Sequence, residues 1–206
     1  MEYYLILFHL WECTGRFDAY TQSIETDRFL LRKYTLNDAD DMYNNWAKYE
    51  ECFKYLPWEP CVSIYEAKER INRWLELYKE NTFYQWGIEL KKNKEVIGFI
   101  NLHNIDEHNF SAETTYILSP QFWNKGIMTE AVKTVLEFGF ESIGLNRISA
   151  DFFSGNDYSQ KVMLKNNMRY EGTFQEKYFK SGKFYDSIQY AVLKKDWKQM
   201  NEEQKE

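Results

Sequence analysis

The stretch SPQFWNKGIMTEAVKTVLEFGF, residues 119–140, decides the fold of this chain. A Ser-Pro turn and a single glycine, Gly126, stand directly before a strongly periodic apolar segment. The run AETTYIL, residues 112–118, lies ahead of them and has the composition of a strand. The pattern predicts a strand, a short turn and a helix N-terminus that meet at one point.

Such a helix N-terminus is a natural binding site for an anion, because its first N–H groups have no partner within the helix. Asn124, Lys125 and Gly126 can turn further amides toward the same centre. Lys125 adds positive charge, and Gly126 has no Cβ to obstruct a phosphate. The spacings of a P-loop and of a dinucleotide-binding glycine motif are both absent. Because one glycine before a helix is more often only a turn, the stretch alone does not identify the ligand.

The bulk composition describes a globular chain with an acidic balance. It has 206 residues, of which 44% are apolar and 18% aromatic, enough for one domain with a substantial core. The net charge is −6. Because no long basic run is present, nucleic acid is not expected as a partner. A cationic substrate is compatible with this charge.

The cysteines and histidines do not form a recognisable site. Cys13, Cys52 and Cys61 make no CxxC pair, which favours free thiols and a reducing, cytoplasmic location. His103 and His108 have no further ligands at metal spacing, so no metal is expected.

The chain divides into three parts. Residues 1–22 form an apolar N-terminal extension, residues 23–200 one domain, and residues 201–206 a polar tail. The apolar run in the extension is only about ten residues long and lacks a basic flank and a small-residue cleavage site, so a membrane partner is not expected. A strand or short helix between Tyr3 and Trp11 is the structure predicted there.

The order of elements indicates a mixed α/β sheet with helices on both faces. Thr35 with Asp38 and Ser63 with Glu66 have the spacing of capping boxes, which predicts two early helices. Two hairpins are predicted, one turned by residues 91–94 and one by residues 181–182, with strand–helix–strand–helix between them. Gly98 predicts a bulge or a close backbone approach.

Residues 24 to about 197 resemble the GNAT superfamily of acetyl-CoA-dependent N-acetyltransferases, and most closely its ribosomal-protein N-terminal acetyltransferase (RimJ/RimL-type) branch. The resemblance is carried by YILSPQFWNKGIMTEA (116–131), LNRI (145–148), NDYSQKV (156–162) and the aromatic final hairpin. It implies an α/β (α+β) fold with a mixed, mostly antiparallel twisted sheet, a splayed central pair of strands and helices on both faces.

The resemblance also implies which residues bind the cofactor, acetyl-CoA. The pyrophosphate loop of the family begins at Trp123, has its glycine at Gly126 and ends at Met128, where the family has a second small residue. The exposed backbone before the loop is expected to pair with pantetheine. The expected cofactor-binding residues are Tyr116, Ile117, Leu118, Trp123, Asn124, Lys125, Gly126, Ile127, Met128, Thr129, Asn156 and Lys161.

For the chemistry, the resemblance implies direct attack of an amine on the thioester, without an acetyl-enzyme. Glu113 is the expected general base, and Glu89 on a neighbouring strand stays an alternative. Ser159 is expected to stabilise the departing thiolate by a hydrogen bond, because the family's usual tyrosine is replaced by Met163. A backbone N–H near Ile117 or Leu118 is expected to hold the oxyanion.

The expected reaction is acetylation of a primary amine, with a protein N-terminal α-amine as the first hypothesis. A small amine such as a polyamine, an aminoglycoside or an amino-acid derivative is the second, and a non-catalytic module that senses coenzyme A is the third. Two aromatic groups, in ECFKYLPWEP (51–60) and at residues 178–185, are candidate walls of the acceptor cleft or ordinary core. Homodimerisation is left open.

Overall fold

The computed structural model describes residues 20–80 and 82–203. Its centre is an eight-stranded sheet with the strand order β1-β2-β3-β4-β5-β6-β8-β7. Neighbouring strands are antiparallel, except that β5 and β6 run parallel. The strands are β1 (Ile24–Glu25), β2 (Phe29–Arg32), β3 (Tyr84–Leu90), β4 (Val96–Asp106), β5 (Ser111–Leu118), β6 (Arg147–Phe153), β7 (Arg169–Lys180) and β8 (Lys183–Leu193).

Helices cover both faces of this sheet. They are α1 (Ala39–Met42), α2 (Glu50–Phe53), α3 (Ile64–Leu77), α4 (Ile127–Glu137), α5 (Asp157–Lys165) and α6 (Lys194–Glu203). Shorter 3₁₀ turns span Leu36–Asp38 and Pro120–Phe122, and π-helical turns span Tyr43–Ala47 and Phe138–Ile143. Helix α6 extends into the stretch assigned to the tail, whereas the structure predicted between Tyr3 and Trp11 lies outside the described residues.

Each face of the sheet has its own apolar core, as the binary pattern of the strands requires. On one side, which we call the α4 face, Val132 and Phe140 pack with Ile100 and Ile148. On the other side, the α3 face, Trp46 and Ile71 pack with Phe99 and Ile117. The predicted fold class, a mixed and mostly antiparallel sheet with helices on both faces, is confirmed.

Several turns and one close approach depend on a single residue that controls the backbone. Gly144 ends the π turn after α4 with a left-handed φ of 85°, and Asn167 has a φ of 58° after α5. The last hairpin turns at Ser181 and Gly182, with φ values of 49° and 77°. A Cβ on Gly98 would lie 2.2 Å from the carbonyl oxygen of Ile117, so the predicted close backbone approach exists.

The first predicted helix differs in detail from a regular α-helix. Between Leu36 and Ala47 the chain passes through 3₁₀, α and π geometry in turn. The wide last turn buries Trp46 completely, with its ring 5.4 Å from that of Phe99. At α3, Ser63 Oγ accepts from the Glu66 N–H as predicted, but the Glu66 carboxylate accepts from the Val62 N–H instead of the cap residue.

An ion-pair network fastens the first helical turns to the sheet. Arg32 donates to both carboxylate oxygens of Asp38 at 2.8 Å and to Glu89 Oε2 at 2.5 Å. Asp38 also accepts from the Thr35 N–H at 2.7 Å, which completes the predicted capping interaction. Burial opposes ionisation of Asp38, but the hydrogen bonds from Arg32 and Thr35 outweigh it and lower the pKa of this carboxyl.

We expect Asp38→Asn to reduce the free energy of unfolding by about 2 kcal/mol at pH 7, because a half-buried charge pair with Arg32 is lost. The lowered folded-state pKa means that the contribution of Asp38 is present above its ordinary pKa of 3.8 and is lost as the pH falls through the folded value. Urea denaturation of both proteins should therefore give a difference that shrinks below about pH 4. A difference independent of pH would contradict this account.

Candidate active site

The parallel strands β5 and β6 separate after three rows of pairing. Ser111, Ala112 and Glu113 pair with residues 147–149, and no pair follows although both strands continue. The Thr115 N–H is directed toward β4, where it meets the side chain of Asn101, and the Ser119 N–H bonds to Ile97 in the same direction. Since backbone groups alternate along a strand, the groups of Tyr116 and Leu118 face the opened gap.

A cavity of about 430 Å³ lies beside the end of β5, on residues 116–118. It is bounded by the end of β5, the turn before α4 and the first turns of α4 and α5. All but one of the predicted cofactor-binding residues line it, and so does Ser159. The lining residues that had been predicted are Tyr116, Ile117, Leu118, Trp123, Asn124, Gly126, Ile127, Met128, Thr129, Asn156, Ser159 and Lys161.

The turn before α4 is held in a left-handed conformation by its sequence. Asn124 and Gly126 have φ values of 59° and 73°, which asparagine and glycine adopt at least cost. An added Cβ on Gly126 would meet only Arg28 Nη2, at 3.7 Å, so the space beside this backbone is open. The turn and the first residues of α4 line the cavity, which places the N-terminus of this helix at the cavity wall.

Arg28 fastens this turn to the start of β2. Its Nη1 donates to the carbonyl of Lys125 at 2.8 Å, and its Nε donates to the Glu130 carboxylate at 2.6 Å. The charge of Glu130, which alone would disfavour a phosphate at this helix, is therefore paired. Lys125 is the one predicted cofactor-binding residue that does not line the cavity; its Nζ lies 5.2 Å from the centre of the Phe122 ring.

The start of α5 supplies the opposite wall. Asn156 caps the helix, since its Oδ1 accepts from the Ser159 N–H at 3.3 Å. Its Nδ2 donates to Ser159 Oγ at 3.0 Å, so the cap also fixes the serine hydroxyl beside the cavity. The Tyr116 hydroxyl donates to the Ser159 carbonyl at 3.3 Å. Met163 is buried in the core.

The two candidate general bases lie in different surroundings. Glu113 is partly buried on the α3 face, opposite His103 on β4 and Ser149 on β6, in the last paired row before the gap. It does not line the cavity. Glu89 is buried on β3, and its carboxylate is bound to Arg32 at 2.5 Å and lies 3.5 Å from Lys94.

Residues 51–56 close the cavity from the α3 side, a role that the sequence did not reveal. Cys52, Tyr55 and Leu56 line it, and Cys52 Sγ donates to the Leu118 carbonyl at 3.7 Å. Burial raises the pKa of Cys52 to about 12, so this thiol stays protonated near neutral pH. The sequence indicated only an acceptor-cleft wall or ordinary core for the stretch 51–60, because its contact with β5 depends on tertiary packing.

Lys180 attaches this closing segment to the final hairpin. Its Nζ donates to the carbonyls of Phe53 and Leu56 at 2.8 Å and of Trp58 at 2.7 Å. Glu59, 3.6 Å away, is its carboxylate partner, and the lysine side chain is only 9% exposed. All three donors of the ammonium group are therefore used to hold one loop.

Comparison with known proteins identifies the architecture around this cavity. Residues 28–169 match the family model of the acetyltransferase (GNAT) domain. The chain belongs to the GNAT acetyltransferase family. Like the other members, this GNAT protein is an N-acetyltransferase, and enzymes of this family use acetyl-CoA.

Three relatives illustrate the breadth of this GNAT similarity. The chain is 33% identical over 171 residues to the uncharacterized N-acetyltransferase YoaA of Bacillus subtilis (strain 168), covering 83% of this chain and 96% of that protein. It is 24% identical over 180 residues to the ribosomal protein uS5-alanine N-acetyltransferase of Escherichia coli (strain K12), covering 84% and 92%. The microcin C7 self immunity acetyltransferase MccE, solved in complex with acetyl-CoA and AMP, superimposes with a TM-score of 0.73 at 23% identity, covering 82% of this chain and 93% of that chain.

The described residues of this GNAT domain also bear on metal binding and on membrane insertion. Among residues 20–80 and 82–203, no three His, Cys, Asp or Glu side chains are grouped so that they could hold a metal ion. Within these ranges every helix is too short or too polar to cross a bilayer.

We expect Gly126→Ala to weaken acetyl-CoA binding about tenfold, because a Cβ intrudes beside the amides of the turn and a non-glycine residue is strained at this φ. Gly182→Ala is a matched control, since Gly182 has nearly the same φ and nothing within 4 Å of an added Cβ. Calorimetric titration with acetyl-CoA measures both. Equal affinities of the two variants would contradict a ligand-contacting role for Gly126.

We expect Lys180→Met to destabilise the fold by about 1–3 kcal/mol, because three carbonyls lose their donor. The KM for acetyl-CoA should rise with the loss of order in residues 51–58. Lys183→Met, on the same hairpin, removes a lysine with only a ring contact to Tyr185 and should leave both quantities unchanged. Urea denaturation and steady-state kinetics test the pair; an unaltered KM in Lys180→Met would show that the attachment does not shape the cavity.

Proposed function

We propose that this protein transfers the acetyl group of acetyl-CoA to a primary amine, and that the amine is a protein N-terminal α-amine. The observation that carries the proposal is the cavity beside the end of β5, which is lined by the turn before α4 and by the first turns of α4 and α5. Amides and a helix N-terminus suit a pyrophosphate, and the unpaired edge of β5 suits the amides of pantetheine. The RimJ/RimL-type resemblance supports the choice of acceptor.

The proposed cofactor contacts follow the walls of the cavity. Asn124, Gly126 and Ile127 would bind the pyrophosphate through their backbone N–H groups, with Lys161 nearby as a cation. The backbone of Tyr116 would pair with pantetheine, since the Leu118 carbonyl already accepts from Trp123 Nε1 and Cys52 Sγ. Arg28 supports this arrangement because it neutralises Glu130 and fixes the Lys125 carbonyl away from the phosphate.

In the proposed reaction, an ammonium group loses its proton to Glu113, directly or through a water molecule. The amine nitrogen then forms a bond to the acetyl carbon, the carbon–sulfur bond breaks, and the sulfur departs as a thiolate. The nitrogen releases its second proton to become the amide nitrogen, and this proton balances the one that the thiolate takes up. Ser159 is proposed to stabilise that thiolate through its hydroxyl, and the Leu118 N–H, on the open side of β5, to hold the oxyanion. Glu113 is preferred to Glu89 because Arg32 already binds the carboxylate of Glu89.

The acceptor is proposed to approach from the α3 face. A second recess of about 570 Å³ lies there between residues 50–60 and the tip of the last hairpin. Three carboxylates (Glu50, Glu51 and Glu59) and two ammonium groups (Lys54 and Lys180) line it, so its charge balance is acidic. Its carboxylates suit a basic peptide or another cation. The relative that acts on ribosomal protein uS5 favours a protein acceptor. A small amine is the second candidate, and a cytoplasmic location and homodimerisation stay predictions.

An assay of coenzyme A release with thiol detection, over N-terminal peptides and small amines, tests the proposal. We expect Glu113→Gln to lower kcat about 100-fold or more and to leave acetyl-CoA affinity unchanged, because only proton removal is impaired. Glu107→Gln, in the turn of the same hairpin, is the matched control and should retain full activity.

The outcomes separate the alternatives. Full turnover in Glu113→Gln would refute the assignment of the base, and preference for small amines over every peptide would refute the protein acceptor. Acetyl-CoA binding without turnover on any amine would instead favour a coenzyme-sensing module.

A further inference from the structure

Asp151 lies at the mouth of the gap between β5 and β6. It is two residues beyond Ser149, which forms the last paired row with Glu113. Because side chains alternate between the faces of a strand, Asp151 shares the α3 face with both of these residues. Continuing the register would bring it opposite Thr115, so Asp151 and Thr115 stand on the two sides of the mouth.

The carboxylate of Asp151 is the centre of a polar cluster. Its Oδ2 accepts from Lys177 Nζ at 2.9 Å, from the Tyr178 hydroxyl at 2.8 Å and from Ser187 Oγ at 2.5 Å. Burial opposes ionisation of Asp151, yet these three hydrogen bonds keep its pKa below the ordinary value. The group is thus an anion at neutral pH.

The ammonium group of Lys177 occupies a site with the features of alkylammonium recognition. Its Nζ lies 5.1 Å from the centre of the Phe174 ring and 5.0 Å from that of Tyr178, besides its contact with Asp151. A carboxylate combined with aromatic faces is the usual environment of a bound ammonium group. Tyr178 is itself held in place, since its ring stacks on Phe153 at 4.6 Å.

A bulge in β7 brings Lys177 to this position. The register between β7 and β8 shifts between Phe174 and Tyr178, and Glu176 has a left-handed φ of 50°. The Glu176 N–H is bonded to Asp186 Oδ1 at 2.8 Å, which fixes the bulge. The Lys177 side chain itself is 39% exposed, so another cation can exchange with it.

We propose that Asp151, Tyr178 and Phe174 form an ammonium subsite for the acceptor, which the chain's own Lys177 fills until an acceptor amine displaces it. The inference rests on the proposed function for its role in acetyl transfer. Asp151 follows Ser149, the partner of Glu113, by two residues on the same face of the sheet, so an acceptor whose ammonium group is held at Asp151 can extend along that face toward Glu113. Asp151 would bind the charged amine, and Glu113 would remove its proton.

The proposal predicts that emptying the subsite exposes it to an external amine. The probe is n-pentylamine, which reproduces a lysine from Cα to its charged Nζ. We expect Lys177→Met to bind it at least about tenfold more tightly than the wild type, and Asp151→Asn in the Lys177→Met background to lose that gain. Ligand-observed NMR titration measures this binding without any acetyl transfer. Lys183→Met is the matched control and should bind as the wild type does.

Kinetics with the best amine from the coenzyme-release assay give the second measurement. We expect Asp151→Asn to raise the acceptor KM about tenfold and to leave the KM for acetyl-CoA unchanged. If pentylamine binds equally to Lys177→Met with and without Asp151, the subsite is refuted while acetyl-CoA turnover can stand. If no variant binds acetyl-CoA, the proposed function fails, and pentylamine binding still decides the subsite. Thermal denaturation verifies that each variant is folded.

Discussion

The end of pairing between β5 and β6 is the constraint on which the rest of this molecule depends. Two parallel strands that share only three rows leave backbone groups without partners, which is costly unless another molecule or side chain engages them. The protein compensates at several points: Trp123 Nε1 and Cys52 Sγ both donate to the Leu118 carbonyl. The close approach at Gly98 keeps β4 and β5 together where β6 departs. The cavity is thus a consequence of sheet geometry, and the loop and helix termini around it are arranged to meet one elongated ligand.

Much of this architecture could be predicted from the sequence, because it depends on local signals. Strand alternation, the glycine and asparagine positions with positive φ, and the helix caps each involve residues close together in the chain. Strand β5 therefore ends at Leu118, where the predicted strand 112–118 ends before the Ser-Pro turn. Most of the predicted residues that line the cavity beside β5 were identified by resemblance to a family motif, which is contiguous from Tyr116 to Thr129.

What the sequence did not reveal depends on contacts between distant segments. Arg28 reaches the turn at Lys125 from 97 positions away, and Lys180 reaches Phe53 from 127 positions away. No sequence pattern around a single arginine or lysine predicts a contact with a segment so far away in the chain. The same holds for Asp151, because its contact with Lys177 depends on the bulge in β7 and its position depends on the register of β6 in the sheet. The mixed helical geometry of residues 36–47 was also missed, because the packing of Trp46 and not local propensity sets it.

The groups proposed to bind the acetyl donor and those proposed to bind the amine come from different parts of the sheet and its flanking elements. Groups proposed to hold the acetyl donor come from α4, α5 and the edge of β5, whereas the residues proposed to face the amine belong to the α3 side and to the β7–β8 hairpin. On this proposal, mutations on that hairpin alter acceptor choice and preserve affinity for the coenzyme. Substrate range in such a scaffold can change through substitutions in the exposed β7–β8 hairpin alone. This hairpin is therefore the place to begin when the enzyme is engineered to accept other amines.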